Sequence, residues 1–195
     1  MESPRPTDTD VPAETEPSGD WDVEAAFVEH EGKLLRYVGH LLGSRGSEAE
    51  DIVQEAFLRL HTQVHVKRKG DQIRNVSVWL FRVAHNLAMD SGRKKTRRRK
   101  LKGKVVEKVQ EISEDDQMSV DALGQLARAE ACRRAMEQLA SLPESQRSVV
   151  ALKVIEGMTF KQIAQVTGTS ASGACMKLRD AMETLSSRLK REGVI

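Results

Sequence analysis

The chain has 195 residues, of which 39% are hydrophobic, 31% charged and only 4% aromatic, and its net charge is +2 at pH 7. This length allows one medium domain or two small ones. The balance is ordinary for a soluble protein, and no apolar run approaches the roughly 18 residues that a membrane span needs. The N-terminus lacks the apolar core of a signal peptide. We therefore predict a cytoplasmic protein without membrane insertion.

Residues 1–20 differ in composition from the rest of the chain. They hold four of the five prolines, and six acidic side chains against one basic. Such a segment buries too little apolar area to offset its conformational entropy. We expect a disordered acidic leader here.

Apolar residues at helical spacing predict three helices between residues 21 and 104. The first carries Val23, Phe27, Leu34, Leu35, Val38, Leu41 and Leu42, and it ends at residues 43–46. Ser47 and Glu50 have the spacing of a capping box at the start of the second helix. Its apolar residues are Ala49, Ile52, Val53, Ala56, Phe57 and Leu60. The polar, basic stretch 61–75 is interpreted as a loop, and the third helix then carries Trp79, Leu80, Val83, Ala84 and Leu87.

A dense basic block follows the third helix. Residues 93–104 hold nine positive charges and no acidic residue. These charges repel one another unless a polyanion or counterions screen them. The block therefore favours nucleic-acid binding over a solvated face or a localisation tag. The charge then changes sign, and we interpret residues 105–120 as a linker.

Residues 121–195 predict four more helices, the last two forming a helix-turn-helix. Pro143 separates the first two, Thr159 and Gln162 give a capping box, and Gly168 lies at the turn. Ser170 caps a final helix to about Arg191. Its core face carries Ala174, Leu178, Ala181, Leu185 and Leu189, and its opposite face carries Ser172, Met176, Lys177, Arg179 and Asp180. The alternative is an ordinary helical hairpin with a solvated face. The predicted fold is all-α, with two small helical domains joined by a flexible linker.

The second helix has a polar face opposite its apolar one. Asp51, Gln54, Glu55 and Leu58 project from it, and an exposed leucine among acid and amide groups resembles a protein-binding patch. Asp51 and Glu55, with His61, are also the residues that a metal-dependent nuclease would use. No histidine has a useful spacing on this helix, and Cys132 and Cys175 form no CxxC pair. We expect no metal and no cofactor.

Three segments resemble the extracytoplasmic-function (ECF) family of bacterial RNA polymerase sigma factors. Residues 47–60 (SEAEDIVQEAFLRL) are similar to the polymerase-binding helix of the family. Residues 78–90 (VWLFRVAHNLAMD), with the basic run after them, are similar to its promoter-melting segment. Residues 142–147 (LPESQR) and the helix-turn-helix from Thr159 resemble its C-terminal domain. The resemblance extends from Trp21 to Leu189 and implies a sigma factor without an active site, because the polymerase supplies the chemistry.

The resemblance also implies partners and roles. Asp51, Gln54, Glu55 and Leu58 would dock on the β′ clamp of core RNA polymerase, and the partners would include the β flap, promoter DNA and an anti-sigma factor. The 61–75 loop and the start of the basic block would capture a flipped base of the minus-ten element, and the last helix would bind the minus-thirty-five element. The implied DNA-binding residues are Lys67, Arg68, Lys69, Arg74, Asn86, Arg93, Lys94, Arg97, Arg98, Ser172, Met176, Lys177 and Arg179.

Two features differ from the family pattern. Residues 172–175 (SGAC) stand where a glycine-threonine-valine-lysine-like run is usual, and Asp180 stands where a basic residue is common. The 61–75 loop lacks the aromatic residues often found there. A free-standing helix-turn-helix regulator is the alternative function, but it would need a dimerisation element to match two half-sites.

Overall fold

The computed structural model describes residues 22–43, 46–102 and 122–191, and at 71, 96–102 and 122–129 it describes the backbone only. The acidic leader (1–20) and the linker (105–120) lie outside the described residues. Within these ranges the chain contains helices and no strand, as the all-α prediction requires. None of the helices described is both long and apolar enough to cross a bilayer.

The described residues contain seven α-helices, which form two groups. The N-terminal domain contains α1 (Val23–Leu42), α2 (Ser47–His61) and α3 (Val76–Lys102), which pack against one another. The C-terminal domain contains α4 (Ala122–Ala140), α5 (Glu144–Val150), α6 (Phe160–Thr167) and α7 (Ala171–Arg191), with α7 packed on the other three.

Helix α1 is capped at both ends. Asp22 is extended, and its Oδ1 accepts hydrogen bonds from the backbone N–H groups of Glu24 at 3.0 Å and Ala25 at 3.1 Å. These bonds satisfy two donors that a helix start leaves without partners. Gly43 ends the helix at a φ of 73°, a left-handed conformation that glycine adopts without a Cβ clash. The predicted break after Leu42 is confirmed.

Helix α2 confirms the predicted apolar face and corrects its start. All six predicted core residues are buried, and Ile52 is the most exposed of them at 8%. The capping box of Ser47 and Glu50 was wrong, because the N-cap is Gly46, with φ −136° and ψ −175°. An N-cap side chain needs an extended backbone at its own residue, and Ser47 is already helical.

The stretch 61–75 is more ordered than the predicted loop. Helix α2 ends at His61, a π-helical turn covers Thr62–Val66, and a 3₁₀ turn covers Gly70–Gln72. Val64 and Ile73 are buried at 6% and 3% exposure. These two apolar anchors hold a segment that is otherwise polar against the core, so its basic side chains project from a fixed backbone.

Helix α3 packs against α1 with large buried side chains. The side chain of Asn75 caps its start by accepting a hydrogen bond from the Val78 N–H at 2.9 Å. Leu80 and Phe81 are 0% and 1% exposed, whereas Trp79 is only partly buried. The helix continues to Lys102, so most of the basic block is helical.

A buried polar pair connects α1 to α3. The Tyr37 hydroxyl lies 2.8 Å from His85 Nδ1. Burial lowers the pKa of His85 to about 4, and burial, with a further contribution from Glu156, raises the pKa of Tyr37. At neutral pH the phenol therefore stays protonated and the imidazole stays neutral, and the hydrogen bond between them gives both groups a partner inside the core.

The C-terminal domain has the predicted boundaries between its helices. Pro143 precedes α5, and the predicted helix from Glu144 to Glu156 is α5 followed by a π-helical turn at Ala151–Ile155. The capping box of Thr159 and Gln162 is present at the start of α6, and Gly168 ends α6 at a φ of 69°. Helix α7 then begins where the Ser170 hydroxyl accepts a hydrogen bond from the Gly173 N–H at 3.0 Å.

The two domains share one apolar core, which the sequence did not predict. Helix α1 packs against α5, and α3 packs against α6. A single cluster of buried residues contains Leu34 and Phe81 of the N-terminal domain together with Leu152 and Ile163 of the C-terminal domain. The two domains are therefore packed against each other in this structure.

We expect Phe81→Ala to lower the free energy of unfolding by about 3–5 kcal/mol, because it removes a fully buried aromatic side chain. Trp79→Ala should cost less, since part of its ring is already in water. Urea unfolding followed by circular dichroism measures both. A larger loss for Trp79→Ala would contradict the burial of these two side chains.

Candidate protein and nucleic-acid interfaces

The outer face of α2 exposes the four residues that the sequence predicted there. Asp51 and Gln54 are exposed, Glu55 is partly exposed, and Leu58 is 56% exposed. Burying the opposite face of this helix forces these side chains into solvent. The result is an apolar side chain surrounded by acidic and amide groups, a composition suited to a protein partner.

Ion pairs fix the carboxylates at the edge of this face. Arg59 Nε donates to Glu55 Oε1 at 2.8 Å, one helical turn away. Glu48 accepts hydrogen bonds from Ser91 and Lys95 of α3. Burial acts to raise the pKa of Glu48, but these two hydrogen bonds outweigh it and lower the pKa. The α2 face is thus tied to the start of the basic block.

The metal-site alternative gains no support from the geometry. In the part of the chain that the structure describes, no three His, Cys, Asp or Glu side chains lie close enough to hold an ion. The ring of His61 instead lies against His65, with centroids 4.7 Å apart.

The segment after α2 presents four exposed basic residues: Lys67, Arg68, Lys69 and Arg74. Arg68 has a φ of 48°, the left-handed conformation that costs a non-glycine residue about 1–2 kcal/mol. Backbone strain of this kind is found most often at functional sites. Asn86 is exposed on α3.

The basic block leaves α3 as a helical extension. Arg93, Lys94 and Lys95 are exposed, and Arg93 Nη1 lies 3.7 Å from Asp90 Oδ1. The side chains of Arg97 and Arg98 lie outside the described residues. Because successive helical residues point 100° apart, Arg93, Lys94 and Lys95 point to different sides of the helix.

Helix α7 exposes a mixed face beside the turn from α6. Ser172, Met176 and Arg179 are exposed, Met176 by 57%, and Lys177 is partly exposed. Ala174 and Ala181 on the other face are fully buried. Arg179 Nε lies 3.7 Å from Asp180 Oδ1, so the positive charge on this face is partly offset.

The sequence indicated no role for two ionic side chains, the partly buried Arg147 and Glu156, whose side chain is only 4% exposed. Both lie where the C-terminal domain meets α1. A signal existed for Arg147 within the LPESQR motif, but its spacing alone does not reveal what the side chain contacts. Glu156 lies between two apolar positions and a glycine, a pattern that is also typical of an exposed helix end.

Family profiles match both domains. The profile described as sigma-70 region 2 matches residues 26–98, and the profile described as sigma-70 region 4 matches residues 132–185. The first range contains α2 and most of α3, and the second contains the helix-turn-helix.

Curated relatives cover most of the chain. The ECF RNA polymerase sigma factor SigL of Mycobacterium tuberculosis is 32% identical over 173 residues, which is 88% of this chain and 91% of SigL. SigW of Bacillus subtilis is 28% identical over 178 residues, again 88% of this chain and 91% of SigW. The fold and these surfaces define a two-domain helical transcription initiation factor. The chain belongs to the ECF family of RNA polymerase sigma factors.

Solved structures show the same fold at low identity. The sigma factor RpoE from Bartonella quintana, in complex with the anti-sigma factor NepR, aligns with a TM-score of 0.69 at 20% identity, covering 87% of this chain and 97% of RpoE. CnrH, in complex with the cytosolic domain of CnrY, aligns with a TM-score of 0.58 at 21% identity, covering 87% of this chain and 88% of CnrH.

The strain at Arg68 leads to a prediction with two matched variants. Arg68→Gly and Arg68→Gln both remove the charge, and we expect both to weaken binding to single-stranded DNA equally. Only Arg68→Gly relieves the left-handed backbone, so only it should raise the free energy of unfolding, by about 1 kcal/mol. Fluorescence anisotropy and urea unfolding measure the two effects. Equal stability of the two variants would show that the backbone is not strained.

Proposed function

We propose that the outer face of α2 is the surface through which this sigma factor binds the β′ clamp of core RNA polymerase. The exposure of Leu58 beside Asp51, Gln54 and Glu55 is the observation that carries the proposal. A leucine exposed among polar groups loses its contact with water on docking, while the carboxylates add charge complementarity that steers the encounter.

The N-terminal domain is proposed to hold the unwound minus-ten element. Lys67, Arg68, Lys69 and Arg74 project from the segment anchored by Val64 and Ile73, and Asn86 lies on α3. Arg93, Lys94, Arg97 and Arg98 would contact phosphates beyond it. A flipped base costs least where the duplex is already opening, and basic residues along the strand then hold the backbone.

The C-terminal domain is proposed to bind the minus-thirty-five element as a duplex. Helix α7 would enter the major groove with Ser172, Met176, Lys177 and Arg179. An arginine in this position can donate two hydrogen bonds to a guanine, and an apolar side chain such as Met176 can contact a thymine methyl group. The β flap of the polymerase is the proposed protein contact of this domain.

The proposal also includes a regulatory partner and a cellular location. RpoE and CnrH are both described as complexes, with the anti-sigma factor NepR and with the cytosolic domain of CnrY. We propose that an anti-sigma factor also binds this chain. It would act in the cytoplasm without catalytic activity of its own. A free-standing regulator is not favoured, since both sigma-70 regions are present.

We expect Asp51→Arg with Glu55→Arg to abolish association with core polymerase while the helical content stays unchanged. Both side chains lie outside the buried face of α2, so their replacement removes docking charges and no core packing. Pull-down with core polymerase measures binding, and circular dichroism measures folding.

The matched control reverses two exposed carboxylates outside α2, Glu29→Arg with Glu183→Arg. It changes the net charge by the same amount and should leave core binding unchanged. Unchanged binding of the α2 variant, or equal loss in the control, would remove the docking assignment.

The two DNA surfaces should respond differently to mutation. Arg93→Gln with Lys94→Gln should weaken binding to every DNA sequence and flatten its salt dependence, because phosphate contacts carry no base information. Arg179→Ala should weaken binding mainly to the cognate upstream element, by about 1–3 kcal/mol.

Titrations of holoenzyme against cognate and scrambled duplexes at several salt concentrations separate the two effects. Lys190→Ala, in the last turn of α7, is the control for loss of one positive charge from this helix. Equal losses on both duplexes for Arg179→Ala would make it a phosphate contact, and sequence-selective losses for the Arg93 and Lys94 variant would overturn its assignment.

A further inference from the structure

Glu48, in the first turn of α2, contacts side chains of α3. Its carboxylate accepts hydrogen bonds from the Ser91 hydroxyl and the Lys95 ammonium, 43 and 47 residues further along the chain. Ala49 of α2 and Ala88 of α3 are buried at 2% and 1% exposure. Small side chains between packed helices let the helix axes approach closely. A carboxylate at the start of α2 can therefore reach the start of the basic block.

The Glu48–Lys95 contact differs from the Arg93–Asp90 pair beside it. Arg93 and Asp90 lie on the same helix, and their side chains are 76% and 65% exposed. Water screens such a pair, so it contributes little. The Glu48 side chain is only 29% exposed and has two donors, one of them charged. Because hydrogen bonds between ionised groups are stronger than neutral ones, Glu48 holds Lys95 more firmly.

Glu48 is ionised at neutral pH. Burial acts to raise its pKa, but hydrogen bonds from Lys95 and Ser91 lower the pKa below its ordinary value. An ionised carboxylate presents negative oxygens that only accept hydrogen bonds, and a lysine binds it in the same way as it binds a phosphate. Glu48 therefore gives Lys95, within the chain, the kind of partner that DNA would give it.

Lys95 is also open to solvent. Its side chain is 56% exposed, and it follows the exposed Arg93 and Lys94 in the basic block. A DNA phosphate that reaches the Lys95 ammonium must displace Glu48 or share the ammonium with it. The carboxylate charge repels the phosphate at this short range, where salt screens little. Lys95 is thus accessible to DNA but already neutralised.

We infer that Glu48 is an internal competitor for DNA phosphate, which occupies Lys95 and weakens the sequence-independent binding of the basic block. Lys95 adds to DNA binding only where a phosphate displaces Glu48. The contact lies within this chain, whereas its effect on DNA rests on the proposed function of the basic block. Because phosphate contacts carry no base information, the competitor lowers the affinity for every sequence and leaves discrimination between promoters to base contacts.

The first test is Glu48→Gln, which removes the charge but keeps the length of the side chain and an oxygen that accepts from Ser91. Holoenzyme is titrated against cognate and scrambled duplexes at several salt concentrations. One additional phosphate contact should steepen the slope of log affinity against log salt by about 0.9 and lower the apparent Kd by up to about eight-fold at about 0.1 M salt. The gain should be equal on both duplexes.

Glu50→Gln is the matched control. Glu50 is exposed and lies in the same first turn of α2 as Glu48, so its replacement changes the net charge and the interaction with the helix dipole by similar amounts. It should leave the slope and the apparent Kd unchanged. An equal gain in Glu50→Gln would show that net charge alone decides the affinity, and the inference would then be wrong.

Lys95→Gln tests whether the gain depends on Lys95. Alone it should change the slope little, because Glu48 already neutralises this cation, and combined with Glu48→Gln it should abolish the gain. A slope shallower by about 0.9 in Lys95→Gln alone would mean that Lys95 already contacts a phosphate. Lower DNA affinity in Glu48→Gln, with helical content unchanged by circular dichroism, would mean that Glu48 positions Lys95 for DNA. Either result would overturn the competitor.

The Arg93→Gln with Lys94→Gln variant tests the proposed function separately. If it leaves DNA binding unchanged, the basic block does not bind DNA, and the proposed function fails at this surface. If it weakens binding while Glu48→Gln gives no gain, the basic block binds DNA without an internal competitor, and only the inference from Glu48 is overturned.

Discussion

The packing of α1 on two sides is the constraint on which the rest of the structure depends. Five consecutive residues of α1, 37–41, are buried, and because successive helical residues point 100° apart, this burial surrounds the helix. One side of α1 meets α2 and α3, and another meets α5. Because α1 contacts helices of both domains, any change that shifts α1 disturbs both domains together.

Apolar burial and ionic contacts have different roles at the domain interface. Leu152 and Ile163 add fully buried apolar side chains to the shared core, and removing their surface from water stabilises the interface. Arg147 and Glu156 fix which ends of the helices meet, yet each keeps an atom without a hydrogen bond. The ionic contacts therefore make the interface specific in geometry and add little to its strength.

The sequence predicted those features that depend on local periodicity. The six apolar residues of α2, the capping box of Thr159 and the turn at Gly168 all follow from neighbours within one or two helical turns. Two predictions were wrong. Gly46 rather than Ser47 is the N-cap of α2, and the burial of Val64 and Ile73 orders a segment whose polar composition indicates a loop. A buried face on α5 or α6 shows that something covers it, but periodicity does not say which helix does. The contacts of Arg147 and Glu156 could therefore not be predicted from the sequence.

The positions of the exposed surfaces suggest an order of events. The α2 face is accessible while the two domains are packed together, so docking on polymerase does not require prior separation of the domains. Under the proposed function, affinity for DNA would come chiefly from the basic block of α3, and α7, where Asp180 partly offsets Arg179, would add selectivity more than strength. A chain that docks first through the proposed α2 surface would place α7 on DNA only after polymerase holds the N-terminal domain. Selectivity then acts on a complex that is already assembled, so a modest difference in base contacts is enough to distinguish promoters.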